Sequence, residues 1–239
     1  MKKTLGFVRI PTELLKRFSE PIKDAQRDES AIPSYLHWNP FVRWIINKRL
    51  EVIVSFVEKV LSIPQIHPRP SALDLGCGVG LLIPSLFKHF SILYVTDHMM
   101  DGARLTANHF RAGNVEFIEP EAWQTIIPDR SLTVVIAADV LEHVEDLDGM
   151  VASIHRVLLP DGSLIVSGPT ETFIYDLARK IAGFSGEYHT RTIFDIEYLI
   201  EKTGFRAISL KKLPFPIFPK LFRVTHYKKE GPVHSGENL

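Results

Sequence analysis

The residues of this chain best suited to chemistry are three glycines that follow a short apolar run. Residues 71–80 read SALDLGCGVG, and Gly76, Gly78 and Gly80 occupy alternate positions. Glycine can adopt positive φ, and without a side chain it lets a ligand approach the backbone closely. An apolar pattern of helical period follows, so the stretch predicts a buried strand, a tight turn and the start of a helix. We therefore expect a nucleotide-like cofactor on this turn.

Acidic side chains lie at the end of this predicted strand and of the next two. Asp74 is inside the first strand end, where its carboxylate would repel a pyrophosphate and could bind an ammonium group through water. Asp97 lies 19 residues after Gly78, which suits a ribose diol, although a helix cap or a turn would also explain it. Glu119 and Glu121 follow the third strand, where they could accept a hydrogen bond from an adenine amino group. The G-x-G-x-G spacing differs from the G-x-G-x-x-G of nicotinamide oxidoreductases and disfavours that class.

An alternation of strand and helix patterns must position these residues. It predicts a doubly wound parallel sheet with helices on both faces, in which ligands bind at the carboxyl ends of the strands. An Asn-Pro pair at 39–40 predicts the start of a long helix that ends near Ser62. We expect a helical N-terminal extension over 1–66, a sheet domain over 67–229 and a flexible tail over 230–239. Strands are predicted at 71–75, 92–96, 115–118, 132–138, 164–167, 206–211 and 221–228, and helices from Leu82 to Phe90 and at 101–110, 147–158, 172–182 and 194–203.

Several segments now occur together in a characteristic order. They are LDLGCGVG, the acid at Asp97, the acid-Ala pair at 121–122, AADVLEHV and LLPDGSLIVS. Over residues 71–211 this order resembles class I S-adenosylmethionine-dependent methyltransferases. The resemblance implies a Rossmann-like, seven-stranded, mostly parallel sheet with an antiparallel last strand, and S-adenosylmethionine as the cofactor. Two positions depart from the family pattern and look structural: Thr133 replaces a usual Asp, and PDG at 160–162 replaces a usual Pro-Gly-Gly.

The resemblance also implies which residues surround the cofactor. Asp74 and Gly76 would lie near the methionine moiety, and Asp97 would lie on the ribose. Cys77, within the turn, is interpreted as a small residue that fits there rather than as a nucleophile. The complete set is Asp74, Gly76, Cys77, Gly78, Gly80, Asp97, His98, Met99, Glu121, Ala122, Asp139 and Val140.

Methyl transfer from a sulfonium needs mainly alignment of the acceptor, and a general base helps when the acceptor is a hydroxyl. His143 is the best-placed base, although a histidine packed beneath the cofactor is an equally good interpretation. His189, in the polar stretch GEYHTRT, is the second candidate, against an ordinary connecting loop. The main prediction contains no metal; the alternative is Mg²⁺ or Mn²⁺ held by oxygen and imidazole ligands. Its ligands would be Asp139, Glu142, His143 and His189.

Composition limits the partners. The chain has 239 residues, 28 basic and 28 acidic side chains and one cysteine. Zero formal charge disfavours nucleic-acid binding, and a single cysteine excludes an internal disulfide. No apolar run approaches the length of a membrane span, so we expect a cytoplasmic protein without integral membrane association. We further expect a monomer or homodimer whose partner is a small-molecule methyl acceptor.

The acceptor must be sought outside the sheet. Tyr35, His37, Trp38, Phe41 and Trp44 form an aromatic group that we expect to pack on the sheet, with an acceptor surface as the alternative. The apolar segment 213–218 predicts a hairpin connection, a lid or a dimer contact, and the basic residues of 206–229 predict a solvated edge. The favoured function is methyl transfer to an oxygen or carbon of an apolar metabolite. A non-catalytic cofactor-binding module and a metal-assisted O-methyltransferase remain alternatives.

Overall fold

Seven strands form one sheet in the computed structural model, which describes residues 5–20, 32–63, 70–170, 191–215 and 220–230. The strands are β1 (Ser71–Leu75), β2 (Ile92–Thr96), β3 (Val115–Phe117), β4 (Leu132–Ala138), β5 (Leu158–Pro169), β6 (Phe205–Pro214) and β7 (Lys220–Lys229). Their order is β3-β2-β1-β4-β5-β7-β6, and β7 runs antiparallel to both of its neighbours. This confirms the predicted seven-stranded, mostly parallel sheet with an antiparallel last strand.

Helices cover both faces of the sheet. They are α1 (Thr12–Ser19), α2 (Ile32–Leu36), α3 (Pro40–Ser62), α4 (Ile83–Leu86), α5 (Asp101–Phe110), α6 (Trp123–Ile126), α7 (Leu147–Val157) and α8 (Ile193–Lys202). Short 3₁₀ turns occupy Phe87–His89 and Leu141–His143. None of the helices in the described part of the chain is long and apolar enough to cross a membrane.

Alternate residues of the strands divide the core into two clusters. Val134 and Ile136 of β4 pack with α3, whereas Val135 and Ala137 pack with α7 and α8 on the other face. Every residue from 132 to 137 is buried, as expected for a central parallel strand with a continuous apolar run. Thr133 has a structural role, because its hydroxyl oxygen accepts a hydrogen bond from the Ser71 N–H at 3.3 Å.

The long helix α3 begins where the sequence predicts. The Asn39 side chain accepts a hydrogen bond from the Phe41 N–H at 2.9 Å, and Pro40 follows in the first turn. Buried α3 residues, including Ile53 and Phe56, belong to the same core cluster as the sheet residues beneath them. The N-terminal helices therefore share a core with the sheet.

Some predicted boundaries were wrong. Strand β5 begins at Leu158 rather than near 164, because Asp161 adopts φ 62° within a strand whose register shifts opposite Leu132. The helix predicted from Leu82 to Phe90 is one short α-helix and a 3₁₀ turn, although its three apolar residues are buried. The chain must reach β2 quickly, and the Ser91 N–H already donates to the carbonyl of Pro70 at the start of β1. The helix predicted at 172–182 lies outside the described residues.

The basic residues near the C-terminus are only partly a solvated edge. Arg206 and Lys211 are exposed on the edge strand β6, as expected. Arg223 on β7 is mostly buried and makes a bidentate ion pair with Glu197 at 3.0 and 2.6 Å. Lys229 donates to backbone carbonyls at the end of α7 and the start of β5. Because β7 lies inside the sheet, the buried polar groups of Arg223 and Lys229 need hydrogen-bonding partners.

Candidate functional site

The glycine turn follows β1 and is hydrogen-bonded to the end of β2. Gly76, Gly78 and Gly80 have φ of 74°, 53° and 76°. The N–H groups of Gly76 and Cys77 both donate to the carbonyl of Thr96, at 2.9 and 3.1 Å. A Cβ on Gly76 would lie 2.7 Å from the Val140 side chain, so glycine is required there. A Cβ on Gly78 would meet nothing within 4 Å, so this part of the turn is open to a ligand.

Asp97 holds the open side of this turn. One carboxylate oxygen accepts from the Gly78 N–H at 2.8 Å, and the other accepts from the Met99 N–H at 3.0 Å. The loop after β2 is therefore tied to the loop after β1 through one side chain. His98 is exposed beside it and Met99 is partly buried.

Asp74 lies beneath the turn with only 2% of its surface exposed. Burial, assisted by the nearby negative charge of Asp97, raises the pKa of Asp74 to about 7. Burial and the same two carboxylates raise the pKa of the Cys77 thiol well above its ordinary value. A protonated, buried thiol is a poor nucleophile, which agrees with the interpretation of Cys77 as a small turn residue.

The residues after β3 form a short helical start. The Ala122 N–H donates to the carbonyl of Glu119 at 2.9 Å, and Ala122 precedes α6. Glu121 is exposed, whereas Trp123 is completely buried. The pair of residues predicted to border an adenine thus occurs in the loop at the carboxyl end of β3.

Asp139 and Val140 close the site at the end of β4. Asp139 adopts φ 53°, its N–H donates to the carbonyl of Ser167 at 2.9 Å, and its side chain accepts from the Ser167 hydroxyl at 3.1 Å. Val140 packs against Gly76 of the glycine turn. The loops that follow β1 and β4 are therefore in direct contact at the carboxyl edge of the sheet.

Arg49 of α3 is a member of the site that the sequence interpretation missed. Its guanidinium forms an ion pair with Asp139, donates to the Tyr35 hydroxyl at 3.0 Å and lies 5.0 Å from the ring centroid of Phe222. Its side chain is 3% exposed. Its spacing held the signal, since Ile45, Arg49 and Ile53 fall at i, i+4 and i+8, which places a cation on the buried face of the helix.

Of the two predicted catalytic histidines, only His143 lies in the described part of the structure. His143 ends a 3₁₀ turn and is exposed, and Glu142 before it is buried. His189 lies outside the described residues. Arg191, two residues later in the sequence, donates to the carbonyl of Glu145 at 3.2 Å. Within the described ranges, no group of three or more His, Cys, Asp or Glu side chains could hold a metal ion. The Asp139 carboxylate is instead engaged by Arg49.

The aromatic group before α3 is mostly exposed, so the expectation that it packs on the sheet was wrong for most of its members. Tyr35 is buried and His37 is partly buried. Trp38, Phe41 and Trp44 are 79%, 52% and 43% exposed. They lie just before α3 and within its first turns.

Comparisons with known proteins agree with this architecture. Residues 73–166 match a family described as the methyltransferase domain. The chain is 25% identical over 144 residues to the malonyl-[acyl-carrier protein] O-methyltransferase of Serratia marcescens, covering 58% of this chain and 54% of that protein. It is 29% identical over 150 residues to a ubiquinone/menaquinone biosynthesis C-methyltransferase of Shewanella sp. (strain ANA-3), covering 56% and 59%. The chain thus spans little more than half the length of these relatives.

Solved structures show the same fold. The S-adenosylmethionine-dependent methyltransferase from Mesorhizobium loti superposes with a TM-score of 0.55 at 14% identity, covering 73% of this chain and 98% of that one. Residues 73–166 thus match a methyltransferase domain, and the order of the strands and the glycine turn agree with that match.

Proposed function

We propose that this protein is an enzyme that transfers the methyl group of S-adenosylmethionine to an oxygen or carbon atom of a small, apolar metabolite. One observation carries the proposal: the open backbone at Gly78 lies directly beside the Asp97 carboxylate at the carboxyl edge of the sheet. An open glycine next to a strand-end acid fits a ligand that combines a nucleoside with a compact polar tail.

The donor set fits S-adenosylmethionine rather than a dinucleotide. Asp97 would accept hydrogen bonds from the ribose hydroxyls, and the loop containing Glu121 and Ala122 would border the adenine. Asp74 would face the ammonium group of the methionine moiety, where a cation favours its charged form. A pyrophosphate would place negative charge above Asp74 and Asp97, which disfavours a dinucleotide.

When bound, this cofactor supplies a methyl group on a positively charged sulfur, which is already a strong electrophile. The task left to the protein is to hold the acceptor in line and to exclude water. The Arg49–Asp139 pair and Val140 would form one wall of the site at the end of β4, next to the glycine turn.

The class of acceptor is inferred from two observations. Exposed aromatic side chains stand at the start of α3, five to eleven residues before Arg49, which forms an ion pair with Asp139. The two relatives cited above are an O-methyltransferase and a C-methyltransferase by name. The aromatic side chains favour an apolar acceptor, and the two relatives favour methylation on oxygen or carbon.

Calorimetric titration with S-adenosylhomocysteine tests the cofactor assignment. The change Asp97→Asn keeps one acceptor oxygen but removes the charge, and we expect an affinity loss of about 10- to 100-fold, as for a lost charged hydrogen bond. Asp148→Asn, at an exposed acid in the first turn of α7, is the matched control and should bind like the wild type. Absence of binding by the wild-type protein would refute the proposal.

His143 is the proposed general base for a hydroxyl acceptor. It is exposed on the turn that follows Asp139 and Val140, so solvent can receive the proton. His143→Gln should bind the cofactor with unchanged affinity and lose methyl transfer to oxygen. If His143→Gln transfers methyl to oxygen at the wild-type rate with saturating acceptor, His143 is not the base. The rate of transfer to a carbon acceptor is the control, because it shows whether the rest of the site is intact in the variant.

A further inference from the structure

A continuous series of contacts connects the long helix α3 to the glycine turn. The Arg49 guanidinium on α3 forms an ion pair with the Asp139 carboxylate at the end of β4. Val140, the next residue, packs so closely on Gly76 that a Cβ at that glycine would lie 2.7 Å from the Val140 side chain. The helix therefore reaches the turn through two adjacent residues, Asp139 and Val140.

The backbone at Asp139 is held in an unusual conformation. Its φ of 53° lies in the left-handed region, which residues other than glycine seldom adopt. Such a conformation persists only where the surrounding contacts hold it. Ser167 supplies two of these contacts, because its carbonyl accepts from the Asp139 N–H at 2.9 Å and its hydroxyl donates to the carboxylate at 3.1 Å. Arg49 supplies a third contact, and this one is between opposite charges.

Arg49 is itself fixed by two other elements of the fold. Its guanidinium donates to the hydroxyl of Tyr35 on α2 at 3.0 Å and lies 5.0 Å from the ring centroid of Phe222 on β7. Arg49 and Tyr35 are both buried, so water competes little for these contacts. A planar guanidinium that is held in this way can fix the position of the carboxylate that it binds.

A second buried ion pair provides a comparison. Arg223 of β7 donates two hydrogen bonds to Glu197 of α8, and the two side chains are 17% and 11% exposed. In the sheet, β4 and β5 separate β7 from β1 and its glycine turn. Helix α8 also packs on the opposite face of the sheet from α3. This pair therefore joins a helix to the sheet as Arg49 and Asp139 do, but two strands away from the turn.

We propose that Arg49 is a positioning residue of the cofactor site. Acting through Asp139 and Val140, it holds the turn at Gly76 in the conformation that receives S-adenosylmethionine. This role rests on the proposed function, in which the cofactor lies on the glycine turn. The N-terminal helices then set the affinity for the cofactor in addition to packing against the sheet.

Calorimetric titration with S-adenosylhomocysteine measures this role in the full-length protein. Arg49→Met removes the charge, and we expect an affinity loss of about 3- to 30-fold, the range for residues that act on a site through others. Arg49→Lys keeps a cation beside Asp139 and should recover most of the lost affinity. Titrations are made at a temperature at which circular dichroism shows that each variant is folded.

Arg223→Met is the matched control, because it also breaks a buried ion pair from the arginine side. In urea denaturation it should lower the stability by an amount similar to that of Arg49→Met. Its affinity for S-adenosylhomocysteine should nevertheless stay within about twofold of the wild type, since distant sites act independently. The comparison separates positioning of the turn from a general loss of stability.

Two measurements test the route through Asp139 and the turn. If Arg49 acts through this carboxylate, Arg49→Met should cause no further loss of affinity in a protein that already carries Asp139→Asn. Hydrogen exchange of the ligand-free protein reports on the turn itself, where the amides of Gly76 and Cys77 donate to the Thr96 carbonyl. These amides should exchange faster in Arg49→Met than in the equally destabilised Arg223→Met.

Tyr35→Phe provides a milder variant in case Arg49→Met does not fold. It removes the hydroxyl that accepts from the guanidinium and keeps the buried ring. We expect it to bind S-adenosylhomocysteine about two- to fivefold more weakly, as for one lost hydrogen bond. Tyr198→Phe, at a tyrosine of α8 that is 70% exposed, should bind like the wild type.

Three results would overturn this role. Wild-type affinity in Arg49→Met, or in Tyr35→Phe in its place, would show that the helix does not act on the turn. Equal affinity losses in Arg49→Met and Arg223→Met would show a general loss of stability. An undiminished further loss in the Asp139→Asn protein would show that Arg49 acts by another route. If the wild type binds no S-adenosylhomocysteine, the proposed function fails, and the exchange rates alone decide whether Arg49 holds the turn.

Discussion

The ion pair between Arg49 and Asp139 joins the N-terminal helices to the end of β4, and its removal is the sharpest test of this architecture. Arg49→Met preserves an unbranched side chain that can still pack on Phe222, but it removes the charge and the hydrogen bond to Tyr35. The two side chains are 3% and 17% exposed, so the carboxylate left behind is largely desolvated. Breaking a buried pair from one side costs about 3–5 kcal/mol of unfolding free energy.

The reciprocal change is Asp139→Asn. Asparagine tolerates the positive φ of this position and can still accept from Ser167, so the backbone is undisturbed. It leaves the guanidinium without its counter-charge at a cost of about 2–4 kcal/mol. In the double variant neither charge remains, and we expect a loss smaller than the sum of the single losses by about 2–3 kcal/mol.

Urea denaturation of the four proteins at pH 7.5 measures this coupling energy, provided that the slope with denaturant is unchanged. A coupling energy below about 0.5 kcal/mol would refute the reasoning, because it would mean that the two groups are solvated independently. Cofactor affinity, measured on the folded variants, shows whether the pair also supports the loop that contains Val140.

Two further predictions concern pH. Burial raises the pKa of Asp74 to about 7, so the folded protein keeps a proton that the unfolded chain releases near pH 4. The free energy of unfolding therefore falls as the pH rises from about 4 to about 7. The free energy of unfolding of Asp74→Asn, measured by urea titration, should therefore rise by up to about 4 kcal/mol relative to that of the wild type between these pH values. If the two proteins show the same dependence of unfolding free energy on pH, the pKa of Asp74 is not raised. Burial and the charges of Lys59 and Lys228 lower the pKa of His226 to about 4. The contribution of its neutral imidazole to the free energy of unfolding is therefore complete above pH 6.5 and is lost as the pH falls towards 4. His226→Gln should reduce the acid destabilisation of the protein by about 2–3 kcal/mol, and an unchanged acid midpoint would show that the imidazole does not remain neutral in the fold.

Local patterns predicted most of the sheet because each depends on neighbours in the sequence. The apolar run predicts β4 because a strand covered on both faces of the sheet must be apolar. The glycines after β1 predict a tight turn because positive φ favours glycine. The Asn39 cap of α3 is local for the same reason. Boundaries were less reliable where tertiary pairing extends a strand, as it does for β5 before the bulge at Asp161.

The candidate site divides in the same way. Asp74, Gly78 and Asp97 could be named from the sequence because parallel strands present their carboxyl ends at one edge. Their mutual arrangement, with the Asp97 carboxylate across Gly78 and the pKa of Asp74 raised by burial, depends on packing and could not be predicted. Arg49 was missed because nothing local pairs it with an acid so distant in the chain.

The sequence by itself determined the class of fold, the glycine turn and the acids that meet at its edge, since periodicity and backbone geometry act over a few residues. Only the tertiary structure decided that α3 delivers Arg49 to Asp139 and leaves Trp38, Phe41 and Trp44 outside the core. The physical reason is that an amphipathic pattern shows which residues could be buried, whereas the length and direction of a helix over its sheet decide which of them are.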